Sequence, residues 1–196
     1  MAKLTTADIL SLTEYNKIRS EFRERAIKIK NLRRIHLGPY LTFLFENKDT
    51  MHYQVQEMLR AERITKEEAI EHEVITYNEL VPEKHQLTAT LLVEFEDPVI
   101  RAVKLKELVG LENHLYLTIG DDEQVLASFD ERQLTEDKLS SVQYIKFNIG
   151  EELTRAILGG AQIGVKSTHG ACSYHEIFSQ DQRNSVVEDL KLSLED

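Results

Sequence analysis

The sequence predicts an α+β fold: a mixed, largely antiparallel sheet with helices packed on it and a long helix near the N-terminus. Three observations carry this. Helical and strand periodicities alternate along the chain, Gly- and Asp-containing turns join neighbouring apolar runs, and no linker-like run separates the halves. The 196 residues therefore read as one domain spanning 1–196.

The elements follow in order. Ile18, Phe22, Ala26, Ile29 and Leu32 recur at steps of three and four, predicting a helix from about Thr13 to Arg33 with one buried face. Ile35–Leu37 and Leu41–Phe45 read as short strands broken at Gly38-Pro39. Asp49 is expected to cap a helix from Thr50 to Arg63. Thr65-Lys66-Glu67-Glu68 has the form of a capping box opening another helix, to about Leu80. Leu87–Phe95 is a strand, and Asp97-Pro98 supplies the N-cap and first residue of a helix closed by Gly110. Leu115–Ile119 and Val125–Phe129 flank Gly120-Asp121-Asp122 as a hairpin. Val142–Ile149 alternates as a strand, Glu151–Leu158 is a helix and Ala161–Val165 a strand. Ser179-Gln180-Asp181-Gln182 caps the last helix. Leu91, Val93, Phe95, Leu115, Leu117, Ile119, Tyr144 and Phe147 are expected to share one sheet.

Composition excludes several classes. A 41% hydrophobic share is enough for a core, and eight glycines with three prolines exclude collagen-like and low-complexity chains. A net charge of −10 argues against a nucleic-acid coat or an anionic membrane surface. One cysteine, Cys172, excludes an intrachain disulfide framework. The opening MAKLTTADIL has no apolar h-region, and the most apolar runs fall far short of the roughly 18 residues of a membrane span. The expectation is a cytoplasmic protein.

Particular strings narrow this further. LGPYLTFLFENKDTMHYQVQEMLRAERI (Leu37–Ile64), YNELVP (Tyr77–Pro82), LTATLLVE (Leu87–Glu94) and GLENHLYLTIG (Gly110–Gly120) resemble the bacterial domain-of-unknown-function family 3501. The opening Ser11–Pro39 stretch fits the same pattern, and QVQEMLRAERI is its most specific piece. The C-terminal turn departs from it, with His169-Gly170-Ala171-Cys172-Ser173-Tyr174 where the family tends to carry a His-Pro-x-Tyr-like turn. The resemblance brings no catalytic residues. It implies a setting beside rubrerythrin-like proteins and iron–sulfur oxidoreductases.

Three constellations are candidates for chemistry. His169-x-x-Cys172-x-x-His175 offers imidazole and thiolate ligands of the kind that zinc or iron accepts, although a closed zinc site needs a fourth. The alternative is a polar turn with the cysteine as a small buried filler. Glu46, Asp49, Gln56, Glu57, Arg60 and Arg63 crowd polar groups onto one helix and the segment before it. There the two arginines could fork a small anionic ligand, or the charges could simply pair with one another. Lys17–Arg34 carries eight basic residues against Glu21 and Glu24, and its Arg23, Lys30 and Arg34 are candidates for docking an acidic partner or a second copy of the chain. No histidine follows a glutamate by three residues, which argues against a ferritin-like di-iron site.

Together these give an accessory or binding protein of an iron or iron–sulfur redox system, with a protein partner (an iron–sulfur oxidoreductase or rubrerythrin-like) or a homo-oligomer. The alternative is a small-molecule or metal-dependent enzyme using His169, Cys172 and His175 or the Arg60/Arg63 helix.

Overall fold

A computed structural model describes residues 2–133, 135 and 137–195. The chain runs α1 (Leu12–Asn31), β1 (Arg34–Leu37), β2 (Leu41–Phe45), α2 (Lys48–Ala61), α3 (Glu67–Asn78), β3 (Gln86–Val93) and α4 (Pro98–Glu107). It continues as β4 (Leu115–Ile119), β5 (Glu123–Leu126), β6 (Ser128–Phe129), β7 (Val142–Asn148), α5 (Gly150–Leu158), β8 (Ile163–His169), β9 (Cys172–Ile177) and α6 (Gln180–Glu195). The α+β class and the long N-terminal helix are as the sequence predicts. Among the described residues no helix is long and apolar enough to cross a membrane.

The expected single sheet is in fact two. Five strands pair in the order β1-β2-β3-β7-β6 and four in the order β5-β4-β8-β9, every pairing antiparallel. The physical reason lies at Ala127. The run Val125–Phe129 divides there, Leu126 pairing with Tyr116 in one sheet and Ser128 with Lys146 in the other, so one extended segment changes sheets. Phe95 lies beyond the end of β3. Asp97 accepts from the N–H groups of Val99 and Ile100 with Pro98 at the first helical position, so the chain is already turning into α4. Inward residues of both sheets, among them Phe43, Phe45, Leu91, Phe147, Leu117 and Val165, form one core with Val186 and Leu190 of α6. A smaller cluster joins Met51, Val55 and Leu59 of α2 to Val74 and Leu80, with Tyr77 and Tyr144 against it.

The caps refine the predicted boundaries. Asn47, not Asp49, caps α2: its side chain accepts from the Thr50 N–H, while the Thr50 hydroxyl accepts from the Asn47 N–H. At α3 the expected Thr65 box is absent and Lys66 precedes the helix without a side-chain cap. On α1 Tyr15 and Ala26 are buried and Phe22 and Ile29 half-buried, leaving Ile18 42% and Leu32 47% exposed, because α1 turns Tyr15 toward Glu57 of α2.

Arg33 joins the two ends of the chain. Only 1% exposed, it donates from Nε to the Phe45 carbonyl (2.8 Å), from Nη1 to the Ser185 carbonyl and hydroxyl, and from Nη2 to the Asp189 carboxylate of α6. Asn47 Nδ2 donates to the other oxygen of Asp189 at 3.1 Å. Burial pushes the Asp189 carboxyl up, against the pull of Arg33.

Candidate functional site

A cleft of about 690 Å³ opens between the end of α3, β6, the turn Glu131–Gln133 and the middle of β7. Strand alternation builds one wall: Ile145 enters the core, so Tyr144 and Lys146 face the other way, and Ser128 is paired with Lys146. Helical spacing builds the opposite wall from Glu73, Thr76 and Tyr77, with Leu80 just beyond the end of α3. The turn between them is held by the Arg132 guanidinium, which binds both oxygens of Asp130 (2.8–3.1 Å) and Glu79 Oε2 (2.7 Å). Asp130 N–H in turn donates to the Tyr144 carbonyl at 3.1 Å.

The two phenols are held protonated. Burial raises Tyr144, with the charges of Glu46 and Asp130 adding to it, and burial raises Tyr77. Hydrogen bonding from Arg132 holds Asp130 below the usual carboxylate range. The cleft therefore offers phenolic O–H groups, one ammonium and several carboxylates. Glu46 is 3% exposed; its Oε1 accepts from Thr90 Oγ1 at 2.6 Å, while its buried Oε2 has no partner among the described residues. Thr90 is the cross-strand partner of Tyr144, which puts this carboxylate behind the cleft wall.

The family model described as a protein of unknown function, DUF3501, matches residues 3–190. The chain belongs to that family. A crystal structure of a novel protein of unknown function from Burkholderia pseudomallei K96243 is 32% identical. It aligns over 96% of this chain and 100% of that one, with a TM-score of 0.91. No curated protein matches the sequence.

Much of the segment resembling DUF3501 is engaged inside the fold. Gln56 is fully buried and clamps Leu10, accepting from its N–H (2.8 Å) and donating to its carbonyl (3.3 Å). Glu57 accepts from Tyr15 Oη (2.6 Å) and from Arg19 Nε and Nη2 (2.7 and 2.8 Å), and Arg60 Nε donates to Asn16. Asp49 is exposed, 3.8 Å from Arg25. Arg63 has φ +54° and closes α2: Ile64 N–H donates to the Leu59 carbonyl and Arg63 N–H to that of Arg60, the Schellman pattern without its usual glycine. The six residues expected to converge on an anion thus do not face one space.

The metal loop is a hairpin, and the structure does not bring its three ligands together. Cys172 and His175 stand three residues apart on β9 and so on opposite faces. Cys172 is buried, 3.5 Å from Ser167 Oγ, with its thiol raised by burial. His175 Nε2 lies 3.1 Å from Thr118 Oγ1, and His169 Nε2 lies 3.2 Å from the Val109 carbonyl. Among the described residues no group of three or more His, Cys, Asp or Glu is placed to hold a metal. The basic helix is likewise partly engaged at home. Lys30 Nζ sits 5.2 Å from the Tyr53 ring centroid and Arg34 is half-buried in β1, while Arg23 is exposed.

Sequence reasoning missed Asp130, Arg132 and Lys146 altogether, and named Tyr77 only within the YNELVP string and Tyr144 only as a strand residue. They come from three separate elements, and no spacing signal links them. A chain of His36 Nδ1, Thr42 Oγ1 (2.9 Å) and Glu94 has the makings of a catalytic relay, but Thr42 is 1% exposed and its hydroxyl is closed to a substrate.

Proposed function

We propose that the chain is a binding module whose polar cleft holds a small molecule, and that it works as an accessory of an iron or iron–sulfur redox system. One observation carries the first part: the cleft gathers Tyr77, Tyr144, Ser128 and Lys146 around a space large enough for a small metabolite, with its turn braced by Arg132. The redox setting is drawn from the family resemblance, and in it the iron belongs to a partner protein. The sequence alternative is an enzyme using the His169/Cys172/His175 loop or the Arg60/Arg63 helix; the hairpin geometry lends no support to the first, and Arg60 is bonded to Asn16 while Arg63 closes α2.

A small-fragment library titrated against the protein and read by backbone amide shifts tests the binding reading. Saturable shifts are expected at residues 73–80, 128–132 and 144–146. Saturable binding confined to other parts of the molecule would refute the assignment.

A further inference from the structure

The charge and aromatic character of the cleft point to one ligand class. Glu73, Glu79, Asp130 and Glu131 face Arg132 and Lys146, leaving the lining two charges negative. The Arg132 guanidinium is committed to Asp130 and Glu79, so the charges of the lining outside that cluster are Glu73 and Glu131 against Lys146. From behind Tyr144 the buried carboxylate of Glu46, whose Oε2 has no partner among the described residues, adds negative potential through low-dielectric protein. Tyr77 and Tyr144 line the cleft as aromatic side chains, the residue type whose ring quadrupole attracts ammonium groups. An anionic ligand would meet Lys146 but also the carboxylates of Glu73 and Glu131. A cation would meet two tyrosine side chains and a lining of net negative charge.

We propose that the cleft binds a small organic cation, an alkylammonium or polyamine-type amine, against the Tyr77 and Tyr144 side chains and the carboxylate of Glu73. This rests on the binding-module reading above. It requires no bond to form or break, and the amine is held as its protonated or quaternary cation.

The test titrates the whole protein with tetramethylammonium and 1,4-diaminobutane, and separately with acetate, succinate and inorganic phosphate, at matched ionic strength with amide shifts as readout. The amines are expected to saturate with shifts at 73–80, 128–132 and 144–146, and the anions are not. Glu73→Gln should weaken amine binding roughly three- to tenfold, the scale of one desolvated cation contact. Lys146→Gln should tighten it by a similar factor, because it removes a like charge. Glu151→Gln, an exposed acid on α5, should leave it unchanged. Anions that saturate at the cleft and weaken in Lys146→Gln would overturn the amine assignment. So would amine binding indifferent to both cleft variants, the signature of adsorption to an acidic surface. Saturation at the cleft by neutral fragments alone would also overturn it, while leaving the binding-module reading standing. If no probe of any class binds the cleft, both readings fall.

Discussion

Removing the Asp189 carboxylate should cost more than removing the whole ion pair. Asp189→Leu leaves the Arg33 guanidinium 1% exposed, still donating to the Phe45 and Ser185 carbonyls but with no counter-charge, and takes the acceptor from Asn47 Nδ2. Breaking one side of a buried pair costs about 3–5 kcal/mol. At roughly 2–4 °C per kcal/mol for a chain of this size, that is a fall in Tm of about 6–20 °C. The double variant Arg33→Met/Asp189→Leu removes both charges and refills the space with apolar atoms, so it should recover part of the loss. The assay is calorimetry on wild type, both single variants and the double variant, with circular dichroism confirming retained helix. Asp189→Leu within about 2 °C of wild type, or a double variant less stable than either single, would refute the reasoning. The first result would mean that the pair is not desolvated, the second that the arginine is useful without its partner.

Two further predictions concern the segments that carry the family resemblance. Gly38 has φ +63°, and a Cβ there would come 2.5 Å from Tyr174 Cδ2 on β9, so Gly38→Ala should destabilise by upwards of about 1 kcal/mol. Adding Tyr174→Ala should relieve the collision but not the backbone strain, and urea unfolding of the four variants separates the two. Glu57 is held below its ordinary value of 4.5, chiefly by hydrogen bonding from Arg19, so its contribution is complete above that pH and is lost as pH falls through the lowered folded value. The Tm gap between wild type and Glu57→Gln should therefore be widest near neutrality and close in acid. A gap that widens as pH falls would reverse the assigned direction.

Local chemistry wrote much of this fold into the sequence. Asp97-Pro98 fixes the start of α4, Ser179 and Gln182 cap α6 reciprocally, and the alternation in Val142–Asn148 sends Ile145 and Phe147 into the core. Each of these depends on residues within a few positions of one another, the range over which capping and periodicity act. The division into two sheets was not legible, because Val125–Phe129 reads as one strand wherever its two halves find partners. Only the distant β4 and β7 decide that Leu126 pairs in one sheet and Ser128 in the other. The same limit governs function. Spacing brought His169, Cys172 and His175 together on paper, and the pleat of β9 set two of them on opposite faces. Glu57 and Arg60 looked available for a ligand until tertiary packing supplied Tyr15, Arg19 and Asn16 as partners. The cleft shows the converse. Tyr77 and Tyr144 are 67 positions apart in the chain. They share a pocket because α3 packs beside the five-stranded sheet, and no local signal encodes that meeting.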